Sequence, residues 1–267
     1  MRPTYIGVDH LYRLERIEGM TQHRRNRLPI QIAAALLCLS GAANISAQTP
    51  DLPAIVRGVD TSVKDRLDRL ASYTVTEHYA VFRGHNDTQP AAEMLVKTTY
   101  RKESGKSYEI LSQSGSALWR NEVLKTLLEN EQRMSKPGNV ETALINSSNY
   151  EMKLDGNAAQ LLNGRQCLVL DITPRRKSQY LFKGQLWVDA HDYRIVQLKG
   201  TAAKSAFFLA NAAEVTRQYE EVNSLPMATH AEAISGSSLL GQTVVKVDYN
   251  GYQMQLLAAP MKASVNR

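Results

Sequence analysis

The sequence predicts an α+β fold in which a large, curved antiparallel sheet carries two or three covering helices. Three observations lead there. Short segments of alternating apolar and polar residues recur over most of the chain. Two amphipathic helical stretches interrupt that series instead of alternating with it. Most connections are short and rich in Gly, Pro, Asn or Asp, as hairpin turns are. The 267 residues, 43% hydrophobic and 22% charged, leave ample length for a core and exclude general disorder, and no fixed-period repeat appears.

Taken in order, Leu52, Ile55, Val56, Val59, Val63, Leu67 and Leu70 recur at helical spacing, with Lys64, Asp65, Arg66, Asp68 and Arg69 on the polar side. At Tyr73 the period changes to two: Tyr73, Val75, Tyr79 and Val81 alternate with Thr74, Thr76, His78 and Ala80, until Gly84-His85-Asn86-Asp87 forms a turn. Strands follow at 94–100 and 107–113, joined through Glu103-Ser104-Gly105-Lys106. A second helix is predicted over 116–133, where Trp119, Val123, Leu124, Leu127 and Leu128 face Arg120, Glu122, Lys125, Glu129 and Glu131; Lys136-Pro137-Gly138 ends it. A short helical stretch is expected at 140–145. Seven further strands complete the meander, at 150–154, 166–172, 180–189, 194–199, 214–221, 229–234 and 242–249. Their short connections favour one curved sheet over two domains.

The first fifty residues have a different character. The basic run His23-Arg24-Arg25-Asn26-Arg27 leads into apolar Ile32-Ala33-Ala34-Ala35-Leu36-Leu37-Cys38-Leu39, and small residues lead on to Ile45-Ser46-Ala47. That order is a signal peptide's, so residues 1–47 are expected to be an extension plus signal peptide, with Met20 as a second candidate start and cleavage before Gln48. The apolar run falls short of the roughly 20 residues a membrane span needs. Leu37 is too bulky for a lipidation signal at Cys38, and cleavage would leave Cys167 as the sole cysteine, so stability must come from packing. The remaining chain carries 26 Lys plus Arg against 23 Asp plus Glu, a net charge of +3, with no basic stripe interleaved with aromatics. Nucleic acid is therefore excluded as a partner.

A search for chemistry finds no phosphate loop, dinucleotide fingerprint, zinc-protease motif, nucleophile elbow or cysteine pair at metal spacing, and hence no expected cofactor, metal or catalytic residue. Ser112-Gln113-Ser114-Gly115-Ser116 and Ser235-Gly236-Ser237-Ser238 read as turns. Asp189-Ala190-His191-Asp192 could orient a general base, which keeps a hydrolase as a third reading, but its place between two strands makes a side-chain-capped turn the simpler account. His78 and His230 stand within strands. Cys167, among Leu168, Val169 and Leu170, reads as a core thiol with a raised pKa. Arg175-Arg176-Lys177 could meet lipid headgroups or an acidic partner, or be solvated at a hairpin tip.

Leu162-Asn163-Gly164-Arg165-Gln166-Cys167-Leu168-Val169-Leu170, the tract from Arg176 to Asp189, the segment Asp192-Tyr193-Arg194-Ile195-Val196-Gln197-Leu198-Lys199-Gly200 and Ala203-Lys204-Ser205 together resemble the bacterial outer-membrane lipoprotein-sorting proteins of the LolA/LolB-like superfamily, especially a periplasmic branch of unassigned role. The resemblance covers about residues 150–251. Departures fall at Asn223-Ser224-Leu225-Pro226 and Phe207-Phe208-Leu209-Ala210. It implies a half-open β-barrel whose concave apolar face, under helices, holds acyl chains or a lipidated protein in transit.

The chain is accordingly expected to be a periplasmic, non-enzymatic carrier or sensor of a lipid or lipoprotein, with Tyr79, Val81, Leu168, Leu170, Leu186 and Val188 along the sheet and Trp119, Val123 and Leu127 on a covering helix as cavity lining. A one-residue slip in any strand would exchange each residue for its neighbour. The alternative is a regulatory module that binds a protein partner in the cell envelope.

Overall fold

The computed structural model describes residues 51–84, 88–156, 159–202, 213–237 and 241–258. The expected signal peptide with Cys38, the turn residues His85, Asn86 and Asp87, the segments Ala203-Lys204-Ser205 and Phe207-Phe208-Leu209-Ala210, and Ser238 lie outside them.

Helix α1 (Leu52–Arg69) carries Pro53 in its first turn, where the missing proline N–H is no loss, and runs directly into strand β1 (Leu70–Arg83). Strands β2 (Ala92–Arg101) and β3 (Gly105–Gly115) pair with it as successive antiparallel hairpins. A short helix α2 (Ala117–Trp119), a π-helical stretch (Arg120–Lys125) and α3 (Thr126–Met134) form one continuous helical run, and a 3₁₀ turn occupies Val140–Ala143. The remaining strands are β4 (Tyr150–Leu154), β5 (Gln160–Leu162), β6 (Arg165–Pro174), β7 (Phe182–Asp189), β8 (Ile195–Ala202), β9 (Glu214–Val222), β10 (Leu225–Ser237) and β11 (Gly241–Leu256).

All eleven strands form one antiparallel sheet in the order β3-β2-β1-β11-β10-β9-β8-β7-β6-β4, with β5 on the same edge of β6 as β4. The edges, β3 and β4, do not pair with each other, so the sheet stays open. The α+β class, the large antiparallel sheet and the covering helices agree with the sequence. Three details differ. Strand β5 was not expected; Asn163 and Gly164 both take positive φ (50° and 77°) and close a two-residue hairpin between Leu162 and Arg165, the conformation an Asn-Gly pair favours. The serine-rich stretch at 112–115 continues β3 instead of turning, because each of its residues finds a partner along β2 between Ala92 and Leu95. Likewise Ser235, Gly236 and Ser237 pair with residues 241–243 at the end of β10.

Two apolar clusters hold helices to the sheet. One joins β1, β2, β10 and β11 to Val123, Leu124 and Leu128 of the second helical run. The other joins Ile55 and Val59 of α1 to β4, β6, β7 and β8. On the opposite face, Cys167, Val169, Trp187 and Val196 form a small separate cluster. No helix among the described residues is long and apolar enough to cross a membrane.

Candidate functional site

Between the two helix-covered clusters the described residues leave part of the sheet unfilled. A partly open cavity of about 460 Å³ lies there, within the range typical of small-molecule sites. Its lining draws on α1, α3, the segment around Val140–Ile145 and the cavity-facing side of β1 and β7–β11. The sequence of β10 explains part of the hollow. Ala228, Ala231 and Ala233 all line it, brought to the same face by a bulge between Ala228 and His230, and Ala202 and Ala213 line it as well. Side chains this small cannot reach across to the helices. Larger apolar groups, among them Val63, Leu67, Ile145, Phe182, Met227 and Val247, form the walls.

One wall is charged. Lys106 of β3 places its Nζ 2.5 Å from Glu131 Oε2 of α3 and 3.8 Å from Glu77 Oε1 of β1, and Arg217 of β9 reaches Glu131 Oε1 at 3.6 Å. Tyr79 donates its hydroxyl to Glu77 Oε2 at 2.5 Å, while Glu77 Oε1 receives no hydrogen bond. Burial pushes the Glu77 carboxyl above the ordinary carboxylate range, against the pull of Lys106. Burial also opposes charge on Glu131, but Lys106 and Arg217 together hold that carboxyl below the ordinary range. For Lys106 burial works toward neutrality and loses to Glu131 and the nearby tyrosines, so the ammonium is kept well charged. Tyrosines frame this wall: Tyr73 stacks on Tyr100 with ring centres 5.2 Å apart and meets Tyr252 edge-on at 5.6 Å. At the other end Tyr150, whose hydroxyl accepts from the Phe182 backbone N–H, is pushed up to about 12, chiefly by burial.

Of the residues expected to line the cavity, Leu127 lies in its wall, and Tyr79 borders it while fully buried in the first cluster. Val81 and Val123 are buried inside the first cluster. Leu168, Leu170, Leu186 and Val188 lie in the second cluster with Ile55 and Val59 of α1. Trp119 is half-buried against the first cluster, with the Arg83 guanidinium 4.5 Å from its ring centre. Glu77, Lys106, Glu131 and Arg217 were missed. The available signal was Glu77, the one carboxylate at an inward position of the Tyr73-Val75-Glu77-Tyr79-Val81 alternation.

The other candidate clusters serve structure. Asp189 Oδ1 accepts from the backbone N–H of His191 (2.8 Å) and of Asp192 (3.4 Å), and Asp192 Oδ1 from Arg194 N–H (3.0 Å), which is the capped turn expected between β7 and β8. His78 and His230 pair with Glu93 and Asp248 at 3.3 Å and 2.7 Å. Cys167 is fully buried and its thiol pKa is raised, mainly by burial. Two of the three clustered cations are tied down: Arg175 donates to Ser147 O, and Arg176 to Asn149 Oδ1 and Thr142 O, fastening the 3₁₀ segment beside β6. No group of three or more His, Cys, Asp or Glu suited to a metal occurs among the described residues.

No family model matches the sequence, and no curated protein does. The fold is similar to several solved structures. An outer-membrane lipoprotein-sorting protein domain from Vibrio parahaemolyticus is 13% identical with a TM-score of 0.43, over 76% of this chain and 93% of that one. A DUF1329 family protein from Desulfovibrio piger is 11% identical with a TM-score of 0.39, over 75% and 92%. A LolA superfamily protein from Nitrosomonas europaea is 11% identical with a TM-score of 0.38, over 78% and 94%.

Proposed function

We propose that this protein is a periplasmic, non-enzymatic binder of acyl chains, acting as carrier or sensor for a lipid or lipidated protein. The observation that supports this best is the cavity itself: about 460 Å³ left unfilled by the described residues, on a small-residue floor and partly open to the outside, between two packed apolar clusters. Such a hollow loses the dispersion contacts a filled core would make, so a fold that keeps it is disadvantaged unless something enters. An acyl chain suits the need. Each methylene removed from water is worth about 0.8 kcal/mol, so one long chain gains on the order of 10 kcal/mol before the costs of binding are counted. Shelter of this kind asks for shape and apolar surface and no reactive group.

Native mass spectrometry of the protein purified from its own cells, followed by extraction and identification of bound lipid, tests the proposal. Mass adducts that extract as acyl lipids are the expected result; repeated preparations free of lipid would overturn it. A protein partner cross-linked equally well after lipid depletion would favour the regulatory alternative.

A further inference from the structure

The cavity's cations are unequally partnered. Three cations line it: Arg66, Lys106 and Arg217. Lys106 and Arg217 share Glu131, Lys106 also stands 3.8 Å from Glu77 of the same wall, and Glu232, the other carboxylate of the lining, stands 3.6 Å from Lys246. Arg66 of α1 has no carboxylate within 4.0 Å among the described residues. Its Nε donates to the Pro226 carbonyl at 3.0 Å, and one terminal nitrogen lies 3.9 Å from the Met227 Sδ, which holds the guanidinium against β10 in the cavity lining. An arginine stays charged at any pH the fold survives, and its remaining N–H groups present the planar fork that a carboxylate fits with two parallel hydrogen bonds. A positive charge held without an anion beside apolar walls is an incomplete arrangement, and an anion carried in by the ligand would complete it.

Building on the acyl-chain reading above, we propose that the ligand is a long-chain fatty carboxylate, its head seated on Arg66 and its single chain laid over the alanine floor of β10. The cavity volume suits one chain of moderate length. The cavity lining already holds one carboxylate among cations, since Glu131 rests its own between Lys106 and Arg217.

The test is displacement of the neutral probe N-phenyl-1-naphthylamine from the purified protein at pH 8, using dodecanoate, 1-dodecanol and dihexanoyl phosphatidylglycerol. Dodecanoate should compete at least about tenfold better than the alcohol. Arg66→Gln should bring the two within about twofold by weakening the acid and leaving the alcohol unchanged, and Arg66→Lys should retain part of the difference. The wild-type comparison requires no variant to fold, and circular dichroism checks those made. Equal competition by acid and alcohol, or a preference that survives Arg66→Gln, overturns the head assignment and leaves the acyl-chain reading standing. Stronger competition by the phosphatidylglycerol assigns the seat to a phosphodiester and overturns it too. Failure of probe, acid and alcohol alike to bind overturns both.

Discussion

Lys106 and Glu131, 25 residues apart on β3 and α3, meet inside the cavity with Nζ and Oε2 at 2.5 Å, and Ser135 at the end of the same helix accepts the Lys106 backbone N–H at 2.7 Å. The edge hairpin and the covering helix are thus fastened together at the polar wall. Neither side chain is fully shielded, at 19% and 24% exposure, but both are far enough from bulk water that losing one partner leaves the other uncompensated.

Glu131→Gln is therefore expected to lower stability at neutral pH by about 1–3 kcal/mol, because Lys106 and Arg217 lose the charge they share. The carboxyl's native pKa lies below its unfolded value, so its contribution is present above the unfolded value and lost as pH falls through the native one. Urea melts at pH 7 and pH 3 should show the gap between variant and wild type closing in acid. A gap independent of pH would contradict the ion-pair account.

Glu77 carries the opposite sign. Its native pKa is raised, so the folded state holds the proton more tightly than the unfolded chain; the associated stability is complete below the unfolded value near 4.5 and is lost as pH rises through the native one. Since Gln imitates the protonated acid, Glu77→Gln should gain on wild type between pH 4 and pH 8. Paired denaturation curves across that window measure it, and a constant difference would show that burial is not what governs this carboxyl.

Filling the floor should separate binding from folding. Ala233, between Val215 and Val245 on neighbouring strands, lines the hollow and faces open space. Ala233→Phe is expected to abolish uptake of a neutral fluorescent probe while the thermal midpoint stays near or above the wild-type value, because the new ring occupies volume that was empty. Undiminished probe uptake by the folded variant would place the binding space elsewhere.

Gly184 and Gly200 sit directly opposite each other on β7 and β8, and a Cβ at 184 would stand 2.2 Å from Lys199 O and 2.5 Å from Gly200 Cα. Both obstacles are backbone and cannot swing away. Gly184→Ala should cost about 1–3 kcal/mol, whereas Gly156→Ala, with no atom of a non-adjacent described residue within 4 Å of the added carbon, should stay within about 0.5 kcal/mol. Differential scanning calorimetry of the pair decides it.

Local pattern by itself determined most of the architecture. The period-two runs from Tyr73 onward, the amphipathic stretches around Val59 and Leu127, and turn formers such as Asp189 specify elements through contacts a few residues apart, and those rules do not depend on what lies across the fold. Leu168, Leu170, Leu186 and Val188 were legible as inward-facing for the same reason. Which inward residues border the cavity was not legible, because that depends on where α1 and α3 come to rest: those four residues pack against α1, whereas Ala231 and Tyr249 border the cavity. The polar wall was likewise decided only in three dimensions, since Glu77, Lys106, Glu131 and Arg217 come from four separate elements and are unremarkable one at a time. Strand and helix follow from neighbours in sequence; a cavity is a property of what fails to touch, and only the packed chain has that property.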